Sequence, residues 1–496
     1  MHMAKEYILV IDEGTTSTKA FVFDKEFHVV AKNSIELCIF AEREPFVLQD
    51  ADEIYAKSIQ ACKNAMAEAG IYPEEIACIG ITNQRGSCVC WDKLNGAPIQ
   101  ECITWQDTRT AHLSRKIHED GWAEKISEHM APPDGMLAIL ALSWLLKNDN
   151  RIKEKYDKNE LMFGTLDTWL IYKLTGGKQY LTSSSNASMF HGFDYNRYCW
   201  DEEYLAYLGI DAGMLPSVSD DMGLLGTTDP AVFGCAIPIA SALADQQAAS
   251  YAHGTLKPGM IKCTCGTGAF VDMCVGDSFV KTVPGLFPIA TYTCGSERCF
   301  QLEGTIKTAG ATLKWLRDDV GLLQKYSDID ALASTVHSSG GVLFLPALTG
   351  LGAPYWNQDA TGSFIGIHRS TNKAHLILAV LEGVAFRIKE VCDLMQRTTA
   401  YPIVSMRVDG GMAASDCFCQ ILANAVGVTV ERPPIYEATA LGAALAAGTV
   451  VGICPTGKSG CWAEDSAFFA PDPQQQEDLL LRFEKWQVYF MKNNKM

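Results

Sequence analysis

The sequence predicts two similar α/β domains, each a mixed sheet covered by helices, facing one another across a cleft. Two observations lead there. A unit of strand, tight glycine turn and strand occurs twice. Tyr7–Ile11 runs into Asp12-Glu13-Gly14-Thr15-Thr16-Ser17 and resumes at Ala20–Phe23, and Met260–Cys265 runs into Gly266-Thr267-Gly268 and resumes at Ala269–Met273. The copies lie about 250 residues apart, too far for a solenoid and suited to paired domains. Within each half, apolar runs of strand character alternate with stretches of helical period. The expected halves are residues 1–250 and 251–496, within the two to four domains that about 100 to 200 residues per domain allow.

In the first half, Asp52–Ala69 reads as a helix, because Ile54, Ala61, Ala65 and Ala69 fall near helical spacing. Ile76–Thr82 and Cys88–Trp91 read as strands. Met136–Leu146 is the longest apolar run, interrupted by Ser143 and too short to span a bilayer, so Trp144, Leu145 and Leu146 are read as packing. The charged stretch Arg151–Glu160 reads as a solvated helix face or loop. In the second half, Gly341–Pro346 is an expected strand, Ala374–Gln396 a long helix, and Met406–Val408 a strand closed by Gly410-Gly411.

Composition narrows the function. Hydrophobic residues at 48% and charged residues at 20% describe a chain that folds. Lys+Arg 41 against Asp+Glu 58 leaves a net charge of -17, which repels nucleic acid and anionic lipid as broad partners. A small anion held by backbone amides, a few cations or a metal remains compatible with that field. The 18 cysteines include Cys88/Cys90, Cys263/Cys265 and Cys417/Cys419, spaced too closely for structural zinc sites. They read as reduced, buried thiols of a cytoplasmic protein, and the short apolar run after Lys5 and Glu6 is unlike a secretory signal. His253, His337 and His368 show no zinc-site spacing and read as ordinary histidines.

The chemistry concentrates in the turns. Asp12-x-Gly14-Thr15-Thr16-Ser17 follows a buried strand and offers amides and hydroxyls, as a phosphate-cradling loop requires, although a polar hairpin turn has the same look. Asp12, at the strand end, suits Mg²⁺, which takes one or two carboxylates with phosphate oxygens. With Gly266-Thr267-Gly268 on the opposite domain, two such loops can clasp a polyphosphate between them, as in actin-like ATPases. Neither the P-loop pattern nor the nicotinamide-type glycine pattern is present. Asp409-Gly410-Gly411 is a weaker candidate for a nucleotide edge. Asp245 follows the apolar Ile237–Leu243 segment and should face the cleft, either taking a proton from an attacking hydroxyl or capping a helix.

These residues belong to an ordered series. Ile11-Asp12-Glu13-Gly14-Thr15-Thr16, Gly80-Ile81-Thr82-Asn83-Gln84-Arg85, Trp105-Gln106-Asp107-Thr108-Arg109, Phe163-Gly164-Thr165-Leu166-Asp167-Thr168-Trp169-Leu170 and Asp245-Gln246-Gln247 come first. Ala309-Gly310-Ala311, Leu348-Thr349-Gly350-Leu351-Gly352-Ala353-Pro354-Tyr355-Trp356, Arg407-Val408-Asp409-Gly410-Gly411 and Ala438-Thr439-Ala440-Leu441-Gly442-Ala443-Ala444 follow. The chain resembles the FGGY carbohydrate kinases over almost its full length, and most of all their glycerol-phosphorylating members. The resemblance implies two actin-like (ribonuclease H-like) ATPase domains with mixed sheets flanked by helices and an active site in the interdomain cleft. It implies ATP and Mg²⁺, with a small polyol or sugar as acceptor, no nucleic acid, no membrane, and a homodimer as an open option.

Carried over by position, the resemblance implies that Thr15, Thr16, Ser17 and Lys19 touch the nucleotide phosphates. Thr267, Gly310, Lys314, Gly411 and Ser415 would complete the nucleotide site, Lys314 and Ser415 standing where Gln and Asn are usual. Asp12 and Asp245 would lie near Mg²⁺, Asp245 being the catalytic base, and Arg85, Trp105, Asp245, Gln246 and Phe270 would form the acceptor pocket. Two pocket positions depart from the family pattern: Gly86 stands where a hydroxyl-binding Glu is usual, and Met136 where a Tyr is usual. Losing two polar anchors should weaken selection of glycerol, and Gly86 should open room for a longer polyol or a ketose such as xylulose. Ala236 replaces an Arg found in members under sugar-bisphosphate control. A catalytically weak nucleotide sensor is the alternative outside the enzyme class.

Overall fold

The computed structural model describes residues 5–41, 43–454 and 465–493. The repeated unit occupies the same place in two sheets. In the first, of six strands, the order is Met222–Thr227, Pro238–Ala244, Ile76–Asn83, Tyr7–Glu13, Ser17–Phe23 and Val29–Glu36. Tyr7–Glu13 runs antiparallel to Ser17–Phe23 and parallel to Ile76–Asn83. In the second, of seven strands, Met260–Cys265 runs antiparallel to Ala269–Gly276 and parallel to Ser405–Asp409.

Tyr7–Ile11 is continuously apolar rather than alternating because both faces of its strand are covered. Leu9 and Ile11 pack with Ala61, Cys62 and Ala65 of helix Ala51–Ala69, while Ile8 and Val10 pack with Ala444 and Ala447 of helix Ala438–Val450. Helix Ala51–Ala69 matches its expected span. Its start is set by Asp50, whose carboxylate accepts from the amides of Asp52 at 2.9 Å and Glu53 at 3.1 Å. The long helix of the second half runs over Lys373–Thr399, and the expected strands are found at Ile76–Asn83, Cys88–Asp92, Leu343–Leu345 and Ser405–Asp409.

Residue 250 falls inside helix Asp245–His253, so the chain leaves the first sheet through a helix rather than a linker. Helix Ala438–Val450 then returns and lies between that helix and the first sheet. The apolar run after Met136 forms helix Ala138–Asn148, with Trp144 stacked 5.0 Å under the Arg109 guanidinium. Asn150–Asp157 is a helix that buries Ile152 and turns most of its charges outward. All described cysteines are free thiols, most of them buried. Among the described residues no helix is long and apolar enough to cross a membrane.

One buried group makes stability depend on pH. His191 is fully buried, its Nε2–H donates to the Ala131 carbonyl at 3.0 Å, and burial pushes its pKa from 6.5 down to about 4. The fold favours the neutral ring. Its contribution is complete above the unfolded value and is lost as pH falls toward the folded one, a total of about 3 kcal/mol. Residue 191 has φ 72 and ψ 159, a strained backbone for His and Asn alike, so the substitution removes the titrating ring without removing that strain. His191→Asn is expected to flatten the fall in urea-unfolding free energy between about pH 7 and pH 4 by this amount; an unchanged slope would refute the assignment.

Candidate active site

The parallel strands of the first sheet end together, and their ends carry the chemistry, as is general for open α/β sheets. Asp12 pairs in register with Thr82, and Ala244 with Asn83, which sets Asp12, Gln84-Arg85 and Asp245 along one rim. Asp245 opens helix Asp245–His253, its Oδ1 accepting from the Gln246 amide at 2.7 Å and lying 3.3 Å from Arg85 Nε. The remaining nitrogens of Arg85 reach across the cleft to Glu303, Nη1 at 2.7 Å and Nη2 at 3.1 Å. Its guanidinium lies 6.0 Å from the centre of the Phe270 ring. Burial raises the Asp245 pKa, and the Arg85 charge opposes that rise. Arg85, Asp245, Gln246 and Phe270 are thus one cluster.

The first glycine turn lies beside it. Gly14 N–H donates to the Ser17 carbonyl at 3.1 Å, closing the turn and leaving Thr16 exposed. Trp105 is tied to this turn by a ring of hydrogen bonds. Its Nε1–H donates to Thr15 Oγ1 at 3.0 Å, Thr15 donates to Gln84 Oε1 at 3.0 Å, Ser87 donates to the same oxygen at 3.1 Å, and Trp105 N–H donates to Ser87 Oγ at 3.1 Å. An indole left 38% exposed is therefore fixed in place, as a flat wall for an acceptor must be. Lys19 Nζ lies 3.7 Å from Asp12 and 3.7 Å from Glu437.

Burial pushes the Asp12 pKa up to about 6 against the pull of Lys19, and the Asp245 charge adds to the rise. Two carboxylates facing the same space suit one small hard cation that completes its shell with phosphate oxygens and water. Among the described residues no cluster of three or more His, Cys, Asp or Glu is placed to hold a metal alone.

The second glycine turn lines a separate space. A cavity of about 1140 Å³ brings together Thr267, Gly310, Lys314, Gly411 and Ser415, the second-half residues expected to meet the nucleotide. Thr15, Thr16, Ser17 and Lys19 do not line it; Thr15 is bonded to Trp105 and Lys19 faces Asp12 on the first-half rim. The amides of Ala309 and Ala311 donate to the Thr267 carbonyl at 2.9 and 3.0 Å, seating the turn on the N-terminus of helix Gly310–Asp318, where the helix end favours anions. Trp315, Tyr326 and Leu348 supply apolar wall, and Asp330 accepts from Ser415 and from the amides of Asp416 and Cys417. Asp409 takes no place in this cavity; its carboxylate is held at 2.6 Å by His253.

The space expected beside Gly86 is filled. Gly86 has φ +74, and a Cβ there would lie 2.6 Å from the Met136 carbonyl oxygen. Backbone of the segment ending in Met136, held by the Met136 amide donating to Asp134 Oδ1 at 3.0 Å, occupies the volume a side chain at 86 would need. The loss of a large residue at 86 therefore does not lengthen the pocket at that point. Gly86→Glu is expected to lower the unfolding free energy by about 2 kcal/mol or more, through strain and overpacking. Any accompanying rise in glycerol affinity at unchanged stability would contradict this geometry.

Two family models cover both halves of the chain. The model of the N-terminal domain of the FGGY family of carbohydrate kinases matches residues 7–252, and that of its C-terminal domain matches residues 261–450. The chain belongs to the FGGY family of carbohydrate kinases. Glycerol kinase 2 of Thermotoga maritima is 40% identical over 448 residues, 90% of each chain. Glycerol kinase of Symbiobacterium thermophilum is 38% identical over 481 residues, 96% of this chain and 97% of its own. Among solved structures, Plasmodium falciparum glycerol kinase with ADP is similar with a TM-score of 0.92 at 28% identity, covering 98% of both chains. This FGGY kinase is accordingly an ATP-dependent carbohydrate or polyol kinase with the two-domain fold of its family.

Sequence reasoning missed several polar residues of this FGGY kinase's cleft. Glu303, Lys262 and Asp272 lie inside the strands Glu297–Ile306, Met260–Cys265 and Ala269–Gly276, and all three are buried. A signal was present: a charge inside an apolar strand must find a partner, and three strands of one half each carry one. What could not be read from the chain was that the partners Arg85 and Gln246 come from the other side.

Proposed function

We propose that this FGGY kinase transfers the γ-phosphoryl group of Mg²⁺-ATP to a hydroxyl of glycerol, yielding glycerol 3-phosphate. The observation that carries the reading is the meeting, on one rim, of Asp245, Arg85 and Trp105 with the Thr15 turn, next to a cavity lined by the second glycine turn. Relatives named glycerol kinase at about 40% identity over nine-tenths of the chain support the choice of acceptor, and so does the Met136 carbonyl that closes the space beside Gly86.

In this reading the residues divide the work. Trp105 gives the acceptor an apolar wall, and Gln246 with Arg85 orients its hydroxyls. Asp245 takes the proton of the attacking hydroxyl, and the Arg85 charge beside it opposes the rise that desolvation gives its carboxyl pKa. Lys19, the amides of the Thr15 and Thr267 turns and the N-terminus of helix Gly310–Asp318 offset charge on the phosphates. Asp12 and Asp245 would hold Mg²⁺, whose charge neutralises the phosphoryl oxygens when it is bound. The halves 1–250 and 251–496 would close on the bound pair and exclude water.

ADP release measured across glycerol, longer polyols and ketoses such as xylulose tests the assignment. Glycerol is expected to show the highest kcat/KM, by about tenfold or more over any longer acceptor. A ketose in first place would replace the glycerol reading, and no acceptor-dependent release with any compound would end the kinase reading of this cleft.

A further inference from the structure

We propose that Lys262, Asp272 and Glu303 are positioning residues that arrange the acceptor-binding side chains from across the cleft, with Lys262 deciding which end of the Gln246 amide meets the acceptor. The inference rests on the acceptor reading given above.

Neighbouring strands place these charges side by side. Lys262 is in register with Asp272, and Asp272 with Glu303. All three are buried on adjacent strands of one sheet. Buried ion pairs are often replaceable by apolar residues without loss of stability, so packing alone gives little reason for a row of charges here. Their contacts give a better one. Lys262 Nζ lies 2.6 Å from Asp272 Oδ2 and donates to Gln246 Oε1 at 2.7 Å and to Thr264 Oγ1 at 3.3 Å. Asp272 Oδ1 is held by Gln301 Nε2 at 3.1 Å, and Gln301 Oε1 in turn accepts from Thr291 at 3.0 Å.

An ammonium group can only donate, so the Gln246 atom that meets it must be the carbonyl oxygen. The NH₂ end of Gln246 is thereby left for the acceptor. Asp245 beside it accepts a proton, and Gln246 donates a hydrogen bond. An acceptor with two adjacent hydroxyls meets both demands, giving one proton to Asp245 and taking a hydrogen bond on the neighbouring oxygen. Glu303 does the same for Arg85, engaging Nη1 and Nη2 so that Nε is the nitrogen turned to Asp245. The donors and acceptors of the pocket are thus set only when the two halves are together.

A double-mutant cycle between Lys262→Met and Gln246→Ala tests this, with glycerol, or the panel compound turned over fastest, as the probe. Gln246→Ala and Lys262→Met are each expected to raise the acceptor KM about tenfold with nucleotide KM unchanged. The double variant is expected to be no worse than Gln246→Ala alone, because Lys262 acts through Gln246. Independent, multiplying effects would overturn the positioning role, as would Lys262→Met without effect. If Gln246→Ala itself leaves the acceptor KM unchanged, or no panel compound is turned over, the acceptor reading fails and this inference with it. Should Lys262→Met not fold because Asp272 is left unpaired, Lys262→Met with Asp272→Leu removes both charges and enters the same cycle under the same criteria.

Discussion

Asp245→Asn is expected to lower kcat by about a thousandfold, within the range that general-base removal produces, while raising the acceptor KM less than tenfold. The substitution keeps the shape of the side chain and an oxygen for the Gln246 amide, bonded at 2.7 Å. It removes the charge and the basic site. Arg85 retains both hydrogen bonds to Glu303, so its guanidinium stays in place. The fold should not suffer. Asp245 is a partly buried carboxylate whose pKa is raised by desolvation, and replacing it with a neutral isostere relieves that penalty. An unfolding midpoint equal to or above that of the parent, with kcat reduced a thousandfold, is the expected pair of results. A fall in kcat of less than tenfold would remove Asp245 from the role of base, and would leave it as the first residue of its helix and a partner of Arg85.

The legibility of this protein in its sequence divides by range. The repeated strand-turn-strand unit was readable because it is local, and it occupies equivalent places in the two sheets. Asp245 was readable because an acid directly follows a buried strand. The five second-half residues expected at the nucleotide do share one cavity, each lying in or beside a glycine turn or on a helix that starts at one. Three features were not readable. Glu303, Lys262 and Asp272 acquire meaning only from partners far away in the chain. A missing side chain at Gly86 signals space, whereas the neighbouring backbone at Met136 occupies it. The course of the chain near residue 250 is the third: it runs there through the helix that Asp245 begins, and Ala438–Val450 from the far end of the chain packs against that helix.

That packing sets up the second large effect. Gly442→Ala is expected to cost about 3 kcal/mol of stability, the upper part of the overpacking range, and to lower kcat about tenfold or more. A Cβ at 442 would overlap the carbonyl oxygen of Ala248 and lie 2.5 Å from its carbonyl carbon, so the obstacle is backbone and cannot swing aside. Nor can the helix retreat the other way. The Ala443 carbonyl accepts from Ser241 at 3.0 Å and lies 2.6 Å from where a Cβ on Gly80 would be, which presses helix Ala438–Val450 directly onto the first sheet. Ala248 shares a helix with Asp245, and the N-terminal end of Ala438–Val450 carries Thr439, whose hydroxyl donates to Asp12 Oδ2 at 3.3 Å. Forcing the two helices apart therefore displaces both carboxylates of the rim. Gly223→Ala is the control, since a Cβ there meets nothing within 4 Å. Urea unfolding and kcat measured on both variants should separate them, Gly223→Ala remaining near the parent. If Gly442→Ala also remains near the parent in both measurements, the two helices are not the joint through which the far end of the chain holds the catalytic rim in place.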